Sequence, residues 1–228
     1  MKHSGKATKA AFRLILIALI VLLVVAALGA FALSKDAVGW AFFGAVVALW
    51  VLFTAFTLYF FRDPDARVPA GANLVLAPGH GKVDAIGTTT EPAFMCGECQ
   101  RVSIFLSIFD VHVQNAPVSG KIAYFKYTAG KFLNALRADS AIYNENVLLG
   151  FEASEPRGLK IGVRLIAGVI ARRIVPFVQQ GDEVARGDRV SLIQFGSRAD
   201  VYLPPNARIK VQLNDHAVGG ETVLAVLE

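Results

Sequence analysis

The chain has 228 residues, room for one domain and an appendage, and 54% of them are hydrophobic, with a mean hydropathy of +0.50. That is too apolar for an ordinary soluble domain, so membrane segments are expected. The net charge of +5 suits anionic lipid headgroups, whereas no basic patch with interleaved aromatics extends beyond Arg172-Arg173, so no nucleic-acid partner is expected.

Residues 14–33 carry no charged side chain over 20 positions. At about 1.5 Å per residue such a helix spans roughly 30 Å, the thickness of a bilayer core. Residues 37–61 form a second uncharged run, of 25 positions. A buried helix in a soluble protein can match either run alone; two in succession favour a membrane hairpin over residues 1–61. Lys2, Lys6, Lys9 and Arg13 look like the basic start of a cleaved signal. The apolar run is too long for one, and a second run follows at once. Basic residues before the first span, and Arg62 and Arg67 after the second, predict both flanks in the cytoplasm, with the linker Ser34-Lys35-Asp36 outside. Trp40 and Tyr59 fall near the ends of the second span, where amphipathic rings favour the interface. The expected location is the cell (inner) membrane, with residues 62–228 as a cytoplasmic domain.

Beyond Arg62 the composition changes. Short apolar runs at 74–77, 102–108, 121–125, 147–151, 160–175, 188–193, 199–203 and 207–213 are separated by Gly and Pro. Their length and Val/Ile content read as strands, with one short helix expected over 131–139, so the domain is mostly β. Cys96-Gly-Glu-Cys99 lacks a second Cys or His pair for zinc, and no metal is expected; a cytoplasmic domain also argues against a structural disulfide. Gly181-Asp182 and Gly187-Asp188 recur at a six-residue interval that suits tight turns between short strands. This rhythm resembles the barrel-sandwich fold of lipoyl and biotinyl domains. The lysine motif that carries their cofactor is missing, so a carrier function does not follow.

Three places suggest chemistry. Gly196-Ser197 breaks a strand pattern and reads as a turn, or as a serine nucleophile that needs a base or strain to act. An unperturbed histidine has its pKa near neutrality, so His112 is either a core histidine or a general acid/base. Strand alternation would put Asp110 on its face, where a carboxylate can orient an imidazole, with Val111 and Val113 opposite. Arg198 is either a solvated strand-end charge or a bidentate ligand for a phosphate or carboxylate. His3 and His216 lie in the tails and carry no functional claim, and nothing in the sequence says whether the chain beyond Leu213 packs.

Several stretches, in order, resemble one family, the short membrane-anchored form of phosphatidylserine decarboxylase. They are "YFFRDPDARVP" (59–69), "VLAPGHGKV" (75–83), "RVSIFLSIFDVHVQNAPVSGKI" (101–122), "NEN" (144–146), "IGVRLIAGVIARRIV" (161–175) and "GDEVARGDRVSLIQFGSRADVYLP" (181–204). The resemblance implies a pyruvoyl enzyme made by self-cleavage between Gly196 and Ser197. Ser197 becomes the pyruvoyl group, which forms a Schiff base with the substrate amine and serves as an electron sink. The two cleaved chains, α and β, stay associated, and a homo-oligomer is compatible with the resemblance. The implied substrate is phosphatidylserine in the membrane, with His112 and Asp110 as catalytic residues and Arg198 as a substrate ligand. Two positions depart from the family pattern: His80 stands where an aspartate that assists serine activation is usual, and Asn115 where an arginine is usual. His80 can still accept a serine proton; equally, it can be a loop residue between two turn glycines. The competing readings are the same chemistry on an ether-linked serine lipid and an uncleaved, non-enzymatic protein that binds lipid headgroups.

Overall fold

The structure is a computed structural model that describes residues 2–32, 37–131, 143–168, 173–194 and 197–228. The chain forms two compact units, Gly5–Asp63 and Met1–Ser4 with Pro64–Glu228.

The first unit is a pair of helices, α1 (Lys6–Ala32) and α2 (Ala37–Phe60). Both are long and apolar enough to cross a membrane. Their continuous Leu, Val, Ala and Phe content leaves no polar face: Leu16, Val21, Leu28, Leu49 and Leu52 are all exposed. Helices that are apolar all round need an apolar surrounding. Arg62 Nη1 donates to the Tyr59 carbonyl at 2.8 Å, and its guanidinium lies 4.0 Å from the centre of the Tyr59 ring. A cation is favourable there, at the helix C-terminus.

The second unit is built from fourteen strands among the described residues: β1 (Leu74–Leu76), β2 (Gly81–Glu91), β3 (Gly97–Leu106), β4 (Val113–Asn115), β5 (Gly120–Thr128), β6 (Asn146–Ser154), β7 (Arg157–Ala167), β8 (Arg173–Pro176), β9 (Glu183–Val184), β10 (Arg189–Gln194), β11 (Ser197–Leu203), β12 (Arg208–Ile209), β13 (His216–Ala217) and β14 (Val223–Val226). Eight of them form one sheet in the order β13-β2-β3-β11-β7-β6-β5-β9, and two three-stranded sheets, β1-β14-β12 and β4-β10-β8, complete the unit. All these strand pairs are antiparallel. Bulges between Val83 and Ala85 and between Ile122 and Tyr124 allow the large sheet to bend. One face buries Val102, Ile104 and Leu106 of β3, Val163, Leu165 and Ala167 of β7, and Ala199, Val201 and Leu203 of β11 in a single core. Each such Val, Leu or Ile contributes about 1.5–3 kcal/mol by leaving water.

Several sequence expectations change. The run 102–108 ends as a strand at Leu106, because Ser107–Asp110 closes into a turn. The run 160–175 divides into β7 and β8, with 169–172 outside the described residues. The helix expected over 131–139 falls almost wholly on residues 132–142, also outside them. The tail beyond Leu213 does pack: β13 pairs with β2, and β14 with β1 and β12. The Gly-Asp rhythm does mark turns. Gly181 and Gly187 have φ of +97° and +86°, and Asp182 and Asp188 accept the N–H groups of Gln179 and Ala185, each at 2.9 Å.

Candidate active site

Ser197 is the first residue of β11, held between Leu106 of β3 and Ala167 of β7. Alternation puts it on the core face with Ala199, Val201 and Leu203. It is wholly buried, and its Oγ has no hydrogen-bond partner among the described residues. A native protein rarely leaves a buried hydroxyl unmatched, so the group needs an explanation, and a reacting atom is one. Gly196, the other half of the expected cleavage site, lies outside the described residues.

Two routes bring His112 towards this serine. Leu106 faces Ser197 across the β3–β11 pair, and the chain reaches His112 through the turn that follows. The His112 carbonyl accepts the N–H of Ile193, four residues before Ser197. The imidazole is fully buried, and its Nδ1–H donates to the Asp110 carbonyl at 2.9 Å. A carbonyl only accepts, so Nδ1 is the ring nitrogen that carries a proton in this bond.

Asp110 acts differently from the sequence expectation. Residues 107–112 are a loop, so strand alternation does not apply, and Asp110 meets His112 through its backbone. Its carboxylate accepts the Ser107 N–H at 2.8 Å and faces His216 Nε2 at 3.0 Å. Burial pushes the Asp110 carboxyl up, but the Ser107 and His216 hydrogen bonds outweigh it and hold the group below the ordinary carboxylate value.

Arg198 follows Ser197 and therefore points to the opposite face of the sheet. There its Nε donates to Asp200 at 2.7 Å, its Nη2 to Ser103 at 2.8 Å, and its Nη1 stands 3.6 Å from Asp84. The guanidinium is buried and paired within the protein, so it is not the solvated strand-end charge that the sequence allowed. Burial, with Asp200 close by, keeps the Asp84 carboxyl above its ordinary value in spite of Arg198.

His80 sits between Gly79 and Gly81. A Cβ on Gly79 would lie 3.3 Å from Leu106, the residue opposite Ser197, and one on Gly81, at φ +153°, would run into the Phe105 carbonyl oxygen. The segment is thus pressed against the end of β3. A Cβ on Gly219 would touch both His80 Cδ2, at 3.0 Å, and Asn115 Oδ1, at 3.1 Å. The two departures from the family pattern therefore meet at one glycine.

Two features escaped sequence reasoning. His216 pairs with Asp110 across 106 positions, which no local signal reveals. The Asn144-Glu145-Asn146 stretch holds the backbone beside Ser197. Asn144 Nδ2 donates to the Ala167 carbonyl at 2.7 Å, the Ala167 N–H donates to the Glu145 carbonyl at 2.9 Å, and the Ile174 N–H to Glu145 Oε1 at 3.1 Å. Glu145 so clamps both flanks of the segment 168–173. The stretch was legible as a motif, but its partners were not.

The family model for phosphatidylserine decarboxylase matches residues 53–225. The chain belongs to the phosphatidylserine decarboxylase family. Its relatives include the phosphatidylserine decarboxylase proenzyme of Gluconobacter oxydans, 48% identical over 78% of this chain and 79% of that protein. That of Desulfotalea psychrophila is 43% identical over 77% and 81%. The proenzyme of Symbiobacterium thermophilum is 39% identical over 83% of this chain and 94% of its own length.

Proposed function

We propose that the chain is a proenzyme that cuts itself before Ser197 and then decarboxylates phosphatidylserine to phosphatidylethanolamine and CO2. The observation that carries this reading is the buried Ser197 hydroxyl at the start of β11, without a partner among the described residues, in a chain of this family.

In this reading His112 Nε2 accepts the Ser197 Oγ proton as Oγ attacks the Gly196 carbonyl carbon. The C–N bond breaks, the nitrogen gains a proton, and an ester links the two residues. Loss of the Ser197 Cα proton then breaks the Cβ–O bond and frees a chain that ends in the Gly196 carboxylate. Water converts the dehydroalanine left at residue 197 to a ketone and releases ammonia. The site fits such a group: residue 197 is buried and faces the core between Leu106 and Ala167. When present, the pyruvoyl ketone supplies an electron sink for the carbanion left as CO2 departs. His112, fixed by the Asp110 carbonyl, then returns a proton to the product carbon. Desolvation by the apolar walls favours loss of a charged carboxylate. His80 is a second imidazole on the Leu106 side of the site and stands where the family's aspartate assists serine activation.

The two apolar helices span the cell membrane, both flanks are cytoplasmic, and the β domain is of the barrel-sandwich type.

Intact-mass spectrometry of wild type beside Ser197→Ala tests the reading. A fragment that begins at residue 197, carries a pyruvoyl group and is missing from the variant is expected. An uncut chain from both, after incubation with membranes, would leave the other reading, an uncleaved headgroup-binding protein. The meeting of His80 and Asn115 at Gly219 is the observation that favours that alternative.

A further inference from the structure

Among the described residues of the β-rich unit, the most exposed large apolar side chains are Phe109, at 62%, and Leu213, at 55%. Both stand on four-residue turns of one design. In Ser107–Asp110 the Asp110 N–H donates to the Ser107 carbonyl at 2.9 Å, and the Ser107 N–H donates to the Asp110 carboxylate at 2.8 Å. In Gln212–Asp215 the corresponding distances are 3.2 Å and 2.8 Å. A turn closed by two bonds holds its apolar side chain outward. The turns are also joined, because His216 Nε2 meets Asp110 Oδ1 at 3.0 Å. Lys82 is the register partner of His216, so its exposed ammonium projects from the same face of the sheet.

We propose that these two turns form a lip that dips into an anionic phospholipid bilayer at the mouth of the Ser197 site, with Phe109 and Leu213 in the interface and Lys82 against the headgroups. The inference rests on the decarboxylase reading, which supplies a bilayer as the place where the substrate resides. Its own support is the surface. Paired apolar tips match the apolar layer of an interface; Lys82 offers its headgroups a cation, and the Asp110 and Asp215 carboxylates are each held by an N–H of their own turn. The Phe109 turn leads within three residues to His112 and starts from the strand end opposite Ser197. Insertion therefore brings headgroups to the loop that carries His112.

The full chain is reconstituted in phosphatidylglycerol vesicles that contain doxyl-labelled lipid, in a Cys96→Ser background that removes the exposed thiol. A fluorophore on Phe109→Cys or Leu213→Cys should be quenched, and one on Lys121→Cys, at the other end of the sheet order, should not. Equal quenching at all three positions, or none at 109 and 213, overturns the lip whether or not the chain is an enzyme. In a second arm, Phe109→Ser/Leu213→Ser should lose about tenfold in kcat/KM on vesicle phosphatidylserine, stay within about twofold of wild type on monomeric short-chain phosphatidylserine, and regain vesicle activity with Phe109→Trp/Leu213→Ile. Equal effects on both substrates would overturn it, as would a variant that merely changes from dimer to monomer, since the surface would then join two copies. A wild type that is quenched at 109 and 213 but decarboxylates neither substrate would retain the lip and sink the decarboxylase reading.

Discussion

At the scale of single residues, His112 is held in one tautomer by a backbone carbonyl. His112→Gln should therefore slow self-cleavage by about 10²–10⁴-fold without unfolding the domain, as gel densitometry of the fragments against time would record. Arg198 offers a different test. It lies beside the fully buried Asp200, so Arg198→Met leaves that carboxylate uncompensated at about 3–5 kcal/mol. Thermal denaturation should show the loss, and Arg198→Met/Asp200→Leu should restore much of it. If instead Arg198→Met stays stable and raises KM alone, the guanidinium is a substrate ligand after all. Asp110 carries a pH dependence. Its folded-state carboxyl lies below the ordinary value of 3.8, so its stabilisation is present above that value and disappears as pH falls through the folded value. Asp110→Asn should thus be less stable than wild type at pH 7, with the gap closing in acid. Unfolding curves at the two pH values would measure it.

At the scale of elements, β11 matters because both of its faces are occupied by different chemistry. Its core face presents Ser197 to Leu106 and Ala167, and its other face carries the Arg198–Asp200 pair. The end of β3 is packed by the Gly79-His80-Gly81 segment, and the tightest point is Gly81, where a Cβ would meet a backbone oxygen. Backbone cannot step aside as a flexible side chain can. Gly81→Ala should cost about 2–4 kcal/mol in urea unfolding, while Gly97→Ala, which meets nothing within 4 Å, should change little. The clamp made by Glu145 on Ala167 and Ile174 acts on the same end of the sheet. Glu145→Ala should raise hydrogen exchange at Ile174 and slow cleavage together; faster exchange with unchanged cleavage would separate the clamp from the site.

At the scale of the whole molecule, an apolar helix pair is joined to a β-rich unit whose strands come from nearly the full length of residues 74–226. Alkaline extraction should leave the chain with the bilayer, as expected for two spanning helices. Release into the supernatant would mean the helices lie on the surface. What the sequence by itself determined is local. Runs without charge dictated two long apolar helices, since backbone in an apolar setting must bond internally. Gly-Asp steps dictated turns, and motif order marked Ser197 and His112. Tertiary structure alone decided the rest. It set the face Arg198 occupies, which follows from the register of β11 against β3 and β7. It also turned the Asp110 carboxylate towards His216 and brought His80 and Asn115 together at Gly219. These depend on pairings between segments far apart in the chain, where side-chain direction is set by neighbouring strands and leaves no trace in local composition or periodicity.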